Sequence, residues 1–275
     1  MERGKLYICP TPIGNLEDIT LRTLRILKEV DLIAAEDTRH TIKLLNHYEI
    51  KKPLTSYHEH NIKEKGIELI DRLNKGENIA LVSDAGMPGI SDPGQDLIGL
   101  AVEEDIQIVI LPGPTASIAA LVVSGLNTDK FVFEGFLSSK KKERIDQLNA
   151  IKDEKRTMII YESPHRLLDS LDNMLTTLGN RRIAIVRELT KIYEEIFRGT
   201  IEEGIDKFSS EKIRGEFVLI IEGNQEEHVE IHINIEEELR KFINQGLSKK
   251  ESVKRVAEEF KLPKNQVYQI SLELD

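Results

Sequence analysis

The sequence predicts an α/β protein of two α/β lobes, a mostly parallel N-terminal sheet and a mixed second sheet with a cleft between them, plus a small C-terminal helical domain. Three observations predict it. Apolar strand-like runs alternate with helical patterns up to Gly125, the alternation restarts beyond it with more period-two strand, and past Gly223 the pattern becomes helical throughout. The expected domains are residues 1–125, 126–224 and 235–275.

In the first lobe Leu6–Pro10, Leu32–Glu36 and Leu54–Ser56 read as strands, and Leu21–Val30, Thr38–Tyr48 and Ile62–Asn74 carry apolar residues at helical spacing. Two further runs, Ile79-Ala80-Leu81-Val82 and Ile108-Val109-Ile110-Leu111, read as buried strands that lead straight into Gly/Pro-rich loops. The first loop is Ser83-Asp84-Ala85-Gly86-Met87-Pro88-Gly89-Ile90-Ser91-Asp92-Pro93-Gly94 and the second Pro112-Gly113-Pro114-Thr115-Ala116, each followed by a helical stretch. Glycines let backbone approach a ligand, prolines stiffen the loop, and open α/β sheets bind ligands beyond the carboxyl ends of their strands. Such loops mark a ligand site; a mere tight strand-to-helix turn is the alternative for either loop alone, and the two together weigh against it.

After Gly125 the expected elements are a strand at Phe131–Glu134, a charged helix from Ser139, a strand at Thr157–Tyr161, a helix after Pro164, and strands at Ile183–Arg187 and Phe217–Glu222. A polar stretch, Asn224 to Asn234, precedes three helices broken at Gly246-Leu247-Ser248 and Leu262-Pro263-Lys264. Ser248 suits an N-cap with Glu251 three residues on, and Pro263 suits the first turn of the last helix.

At 275 residues, 40% apolar and 31% charged, the composition is that of an ordinary globular protein. Met1 to Gly4 leads into a strand rather than an apolar signal core, and the longest apolar run, Ile118 to Val123, cannot cross a bilayer, so a soluble, cytoplasmic protein without membrane contact is expected. Cys9, the sole cysteine, permits no internal disulfide and reads as a small core residue. The net charge of −10 argues against nonspecific nucleic-acid binding, which depends on neutralising phosphates. Positive ground must therefore be local: Lys140-Lys141-Lys142 with Arg144, Arg181-Arg182, and the basic residues of Lys249–Lys264. For the last group a helix-turn-helix-like RNA contact and a solvated amphipathic surface stand as alternatives.

No G-x-G-x-x-G follows the first strand, where Pro10-Thr11-Pro12-Ile13-Gly14-Asn15 stands, and there is no phosphate loop of the G-x-x-x-x-G-K-[ST] type. Nicotinamide redox chemistry and nucleoside triphosphate hydrolysis thus lose their main support. His58-Glu59-His60 puts two imidazoles on one face if extended, but zinc needs a third protein ligand, so no metal is expected and a polar loop facing the cleft is the preferred reading. Three hydrogen-bonding clusters, Glu36-Asp37-Thr38-Arg39, Tyr161-Glu162-Ser163-Pro164-His165-Arg166 and Arg187-Glu188-Leu189-Thr190-Lys191, sit at strand ends and could meet around one ligand.

These segments resemble the S-adenosylmethionine-dependent tetrapyrrole methylases, and within that family the branch acting on small-subunit ribosomal RNA. The resemblance covers nearly the whole chain. It rests on Thr11-Pro12-Ile13-Gly14-Asn15-Leu16 with Asp18-Ile19-Thr20, on Glu36 to Arg39, His58-Glu59-His60-Asn61, the two glycine loops, Tyr161 to Arg166, Arg187 to Lys191 and Gly215-Glu216-Phe217. Ser138 departs from the pattern, since a proline often follows Phe-Leu in the family, and that loop lacks the ring's constraint.

The resemblance implies a homodimeric enzyme that binds S-adenosylmethionine in the inter-lobe cleft and methylates the ribose 2′-oxygen of a cytidine in the decoding region of 16S ribosomal RNA within the small subunit. Carried over by motif, the cofactor contacts are Pro12, Asp84, Met87, Ile90, Thr115, Ala116, Tyr161, Glu188 and Leu189. Methyl transfer from a sulfonium to an alcohol is an in-line displacement in which positioning dominates, helped by a base or a cation beside the developing alkoxide. Glu36, Asp37, Glu188 and Lys191 are the open candidates for that help. Arg39 and Arg166 suit phosphate, because a guanidinium fork matches it in bidentate fashion, and His58, Lys140, Lys141, Lys249 and Lys250 complete the expected RNA contacts. Two rival readings are a tetrapyrrole methyltransferase of the same fold, against which the basic runs and terminal helices speak, and a noncatalytic RNA-binding assembly factor. Calorimetry with S-adenosylmethionine separates them.

Overall fold

Five parallel strands, β1 (Leu6–Ile8), β2 (Leu32–Ala35), β3 (Leu54–Ser56), β4 (Ile79–Val82) and β5 (Ile108–Ile110), form the first sheet in the order β3-β2-β4-β1-β5 of the computed structural model. The structure describes residues 2–225, 234–260, 262–272 and 274. Alternation along the strands builds the two faces: Leu32, Ala34, Ile79 and Leu81 join the core under α3 (Ile62–Asn74) and α4 (Gln95–Glu103). Ile33, Ala35, Ala80 and Val82 join the core under α1 (Leu21–Glu29) and α2 (Thr38–His47). Cys9 is fully buried in the second of these cores, and burial pushes its thiol up to about 12.

The expectation that Ile108–Leu111 is a buried strand needs correction. β5 lies at one edge of the sheet, bonded among the described residues to β1 alone, and Ile110 is 56% exposed. Because the strands are parallel, the chain leaves β1, β2, β4 and β5 along one rim, and both glycine loops lie there.

The second sheet is mixed, as expected: β6 (Phe131–Phe136), β7 (Thr157–Glu162), β8 (Arg182–Arg187), β9 (Glu195–Thr200) and β10 (Phe217–Ile221), in the order β6-β7-β10-β8-β9, with only β6 and β7 parallel. Helices α6 (Lys141–Ala150), α7 (Leu167–Leu178) and α8 (Ile201–Ser209) cover one face through Leu148, Leu171, Met174 and Phe208. The other face receives α5 (Ala116–Ser124), whose Ala120 and Leu121 pack with Ile159, Ala184, Val186 and Ile220. The helix that follows the second glycine loop therefore seals the neighbouring sheet and places that loop between the two. Strand β9 and helix α8 escaped the sequence reading; α8 starts with a capping box between Thr200 and Glu203.

The chain divides into two compact units, Met1–Gln225 and Glu226–Asp275. In the second, α9 (Ile235–Asn244), α10 (Lys249–Glu259) and α11 (Lys264–Leu272) bury Leu239, Val253, Val256 and Val267 among themselves. The expected Ser248–Glu251 capping box opens α10, and Pro263 directly precedes α11. Most of the polar stretch 224–234, and Lys261 of the basic run, lie outside the described residues.

Candidate functional site

The site is built where the exits of β1 and β4 are stitched together. Thr11 and Gly86 exchange two backbone hydrogen bonds, of 2.9 and 3.0 Å, the Thr11 hydroxyl donates to the Ser83 carbonyl at 3.1 Å, and the Ser83 hydroxyl donates to the Gly86 carbonyl at 3.1 Å. Gly86 holds φ +80°, in the left-handed region, and a Cβ there would lie 3.2 Å from Ile13 Cγ2. From the other side, the Tyr161 hydroxyl accepts from the Ser117 N–H at 3.2 Å in the first turn of α5, and the Tyr161 ring packs edge-on against Phe133 and Phe136.

Between these walls lies a cavity of about 320 Å³. The first glycine loop contributes Ala85, Gly86, Met87, Ile90, Ser91 and Asp92, and the second Thr115 and Ala116. The second sheet contributes Phe136, Tyr161 to Pro164, Val186, Leu189 and Glu216 to Val218, while Ile13 completes the lining. Of the expected cofactor contacts, Met87, Ile90, Thr115, Ala116, Tyr161 and Leu189 are thus brought together. Pro12, Asp84 and Glu188 do not line this cavity. Pro12 is buried and its neighbour Ile13 faces the space instead; Asp84 Oδ1 accepts from the Asp37 N–H at 3.2 Å; Glu188 lies in an adjoining groove. Sequence reasoning missed Phe136, Asp92, Val186 and Glu216 as lining residues. Asp92 and Glu216 stood within quoted motifs, whereas nothing in the sequence distinguished Phe136 or Val186.

The four candidates for base or cation separate by charge. Burial, reinforced by Asp92, Asp84 and Glu59 against a backbone hydrogen bond from the Asp84 region, pushes Glu36 up to about 7. Asp92 is raised as well, by burial first and then by Asp84 and Glu216, against the Ser83 hydroxyl. Asp37 is held far below the ordinary range by the Arg39 side chain, at 2.6 Å, and by the Arg39 N–H. Burial opposes ionisation of Glu188, but the Glu216 N–H at 2.9 Å and Lys191 Nζ at 3.0 Å outweigh it, and the carboxyl is lowered. Burial likewise opposes the charge on Lys191, yet its bonds to Glu216 at 2.7 Å and to Glu188 keep it raised. Glu36 alone of the four combines a carboxylate with a basicity suited to neutral pH.

The expected RNA contacts divide similarly. Arg39 is exposed and near the site rim, held by Asp37. Arg166 is committed within the fold: it pairs with buried Glu162 at 2.9 Å and donates to the Leu137 carbonyl and the Ser163 hydroxyl, both at 3.0 Å. Arg144, expected in the basic patch, is buried and donates to the Ser138 and Ser139 carbonyls. Ser138 itself is fixed by the Gln147 and Glu143 side chains, which replace the constraint of the absent proline. Lys141 is exposed, and Lys140 is exposed beside Glu143. His58 and His60 pack edge to face at 5.9 Å, with His58 Nδ1 buried and unpartnered; among the described residues no three ligands gather for a metal. In the helical unit Lys249 Nζ donates to the Leu274 carbonyl at 2.6 Å, and Lys250 is exposed.

Residues 5–204 match the family model of the tetrapyrrole (corrin/porphyrin) methylases. The chain is 51% identical to the ribosomal RNA small subunit methyltransferase I of Halalkalibacterium halodurans over 98% of its length and 95% of that protein. It is 50% identical to the Synechocystis protein of the same name, over 99% of each, and 46% identical to that of Escherichia coli O157:H7, over 98% and 96%. Among solved structures, a cobalt precorrin-4 methyltransferase superposes with a TM-score of 0.61 at 19% identity, over 79% of this chain and 94% of that one. A diphthine synthase does so with 0.61 at 14%, over 80% and 90%. At such identities these likenesses concern the fold.

Proposed function

The chain belongs to the tetrapyrrole methylase family and, within it, to the ribosomal RNA small subunit methyltransferase I group, and we propose that it methylates the ribose 2′-oxygen of a cytidine in the 16S decoding region, using S-adenosylmethionine. The observation that carries this reading is the cavity between the sheets, walled by both glycine loops and by Leu189.

The residues present fit that cofactor. About 320 Å³ falls in the about 300–1,000 Å³ range of small-molecule sites, and the lining is mainly apolar with a few polar groups. Met87, Ile90, Val186 and Leu189 would exclude water around it, Asp92 and Glu216 would accept hydrogen bonds from its hydroxyl and ammonium groups, and backbone at Ala85–Met87 would approach it closely. When bound, S-adenosylmethionine supplies an electrophilic methyl group on a sulfonium.

The stitched loops hold their positions before substrate arrives, and alignment of attacking oxygen and methyl group accounts for about 7–11 kcal/mol of the barrier in well-oriented systems. Glu36 does not itself line the cavity but faces Asp92, which does, closely enough to be raised by its charge, and of the four candidates it is the base we assign to take the 2′-hydroxyl proton, a role that contributes typically about 10²–10⁴-fold. Lys191 stays protonated and serves as a fixed cation rather than a base. Arg39, Lys140 and Lys141 take the phosphate contacts; Arg166 is withdrawn from that role because its guanidinium is engaged with Glu162. With so acidic a chain, affinity for naked RNA is weak and the assembled small subunit in the cytoplasm is the substrate. A homodimer is part of the proposal, and exposed Ile118 and Val122, one turn apart on α5, offer it an apolar patch.

The test is incubation with labelled cofactor and either unmodified small subunits or short free RNA, followed by mapping of the modified nucleotide. Label on one cytidine ribose of the subunit supports the reading. Equal labelling of short free RNA removes the substrate argument, and cofactor binding without RNA labelling favours a small-molecule methylase.

A further inference from the structure

Beside the cavity runs an open groove of about 600 Å³, lined by Asn15 and Leu16 of the first lobe and by the segment Glu188, Thr190 to Tyr193 of the second. The two spaces share a wall. Leu189 faces the cavity while its neighbours Glu188 and Thr190 face the groove, and Glu216 lines the cavity while bonding Lys191 of the groove at 2.7 Å.

The groove segment has two unusual properties. Glu188 and Thr190 both adopt positive φ, +50° and +66°, which side chains other than glycine rarely do. Their surroundings hold them there: the Thr190 N–H donates to Glu194 Oε2 at 2.6 Å, the Asn15 N–H donates to Thr190 Oγ1 at 3.0 Å, and Glu188 Oε1 accepts from the Glu216 N–H. Such strain persists only where neighbours impose it, and it concentrates at functional sites. The consequence of this rigid turn is that Ile192 and Tyr193 are presented to solvent, 94% and 78% exposed. An aromatic ring held outward beside a reaction cavity is a preorganised stacking surface.

We propose that this groove receives an unpaired base of the RNA substrate, stacked on the face of Tyr193, so that the adjoining ribose is delivered to the cavity; this deepens the ribosomal reading and rests on it. The charge of the wall selects the base over the phosphate. Glu188 and Glu216 set two carboxylates against the single Lys191 ammonium, which repels a phosphate but leaves an uncharged base free to stack. Asn15 adds a donor: its Oδ1 accepts from the Glu17 N–H at 3.0 Å, and its amide NH2 has no protein acceptor among the described residues. Enzymes that modify nucleotides within structured RNA or DNA extract the target from its stack and hold its base against aromatic side chains.

The experiment is steady-state methylation of unmodified small subunits by the full chain and by Tyr193→Ala and Tyr193→Phe, with the dissociation constant for S-adenosylmethionine measured by calorimetry. Loss of a stacked base predicts a rise of about 5- to 150-fold in KM for subunits with Tyr193→Ala, with the effect falling on KM rather than kcat and cofactor affinity at the wild-type value. Tyr193→Phe, which keeps the ring face, restores wild-type KM. If the wild type methylates subunits and Tyr193→Ala keeps its KM, or if Tyr193→Phe is as impaired as Tyr193→Ala, the groove inference is overturned while the ribosomal reading stands. If the wild type transfers no methyl group to subunits, both fall.

Discussion

Glu36→Gln is the substitution whose consequences the structure fixes most fully. Glu36 is half-buried at the exit of β2 and is pushed from the ordinary 4.5 to about 7 by burial and by Asp92, Asp84 and Glu59. Its folded value lies above its unfolded one, so folding favours the protonated form: the contribution is fully present below about pH 4.5 and is lost as pH rises through about 7. In a dry site a rise of that size corresponds to about 3 kcal/mol. Water screens a half-buried carboxyl, and about 1–2 kcal/mol is expected. Glutamine keeps the shape without the charge, so the variant should be more stable than the wild type at pH 8.5 by that amount, about 2–8 °C in Tm for a unit of this size, and equal to it near pH 4.5. Scanning calorimetry at the two pH values reads this directly. The same variant should lose about 10²–10⁴-fold in methylation rate. An equal Tm difference at both pH values, or a less stable variant at pH 8.5, would refute the electrostatic reasoning; stabilisation with full activity would remove Glu36 as the base.

Gly14→Val should weaken S-adenosylmethionine binding at least about 10-fold and destabilise the fold by about 1–3 kcal/mol, because a Cβ at Gly14 would lie 2.5 Å from Lys191 Cγ and 3.0 Å from the Leu189 carbonyl, driving the second-lobe loop from the cavity wall. Calorimetric titration and chemical denaturation measure the two effects. Arg166→Ala leaves the Glu162 carboxylate buried without a counter-charge, bonded by the Ser163 N–H at 2.7 Å, the Ser163 hydroxyl at 3.5 Å and the Ser170 hydroxyl at 2.5 Å, and should cost about 3 kcal/mol in urea denaturation; near-zero cost would show the pair to be dispensable. Val122→Asp, at a site 69% exposed on α5, should convert a dimer to monomer in sedimentation velocity while leaving circular dichroism at the wild-type level; an undisturbed dimer would place the interface elsewhere.

The alternation of short apolar runs with helical patterns made the first sheet legible, since strands buried on both faces, such as Leu32–Ala35 and Ile79–Val82, carry apolar residues without interruption. The same signal misled at Ile108–Ile110, because an apolar run does not reveal that its strand lies at an edge. Strand β9 was hidden because Glu-Ile-Phe-Arg-Gly-Thr mixes charges on both faces of an edge strand whose Glu195 and Arg198 are satisfied by Lys207 and by the Val123 carbonyl. At the site, the glycine loops could be read because close backbone approach restricts residue type. Phe136 and Val186 could not, since they reach the cavity only through the packing of two sheets distant in sequence. Nor could the sequence say that Arg166 and Arg144 turn inward, a matter of which acceptor lies within reach: Glu162 and the Leu137 carbonyl for one, the Ser138 carbonyl for the other.

The most direct measurement is a crystal structure of the protein soaked with S-adenosylmethionine. Density between the two glycine loops and Leu189, in contact with Met87, Thr115 and Ala116 and with its methyl group open toward the Tyr193 groove, is the expected result. Density bound outside that cavity, or a cavity that stays empty at saturating cofactor, would contradict the assignment of this space to methyl transfer.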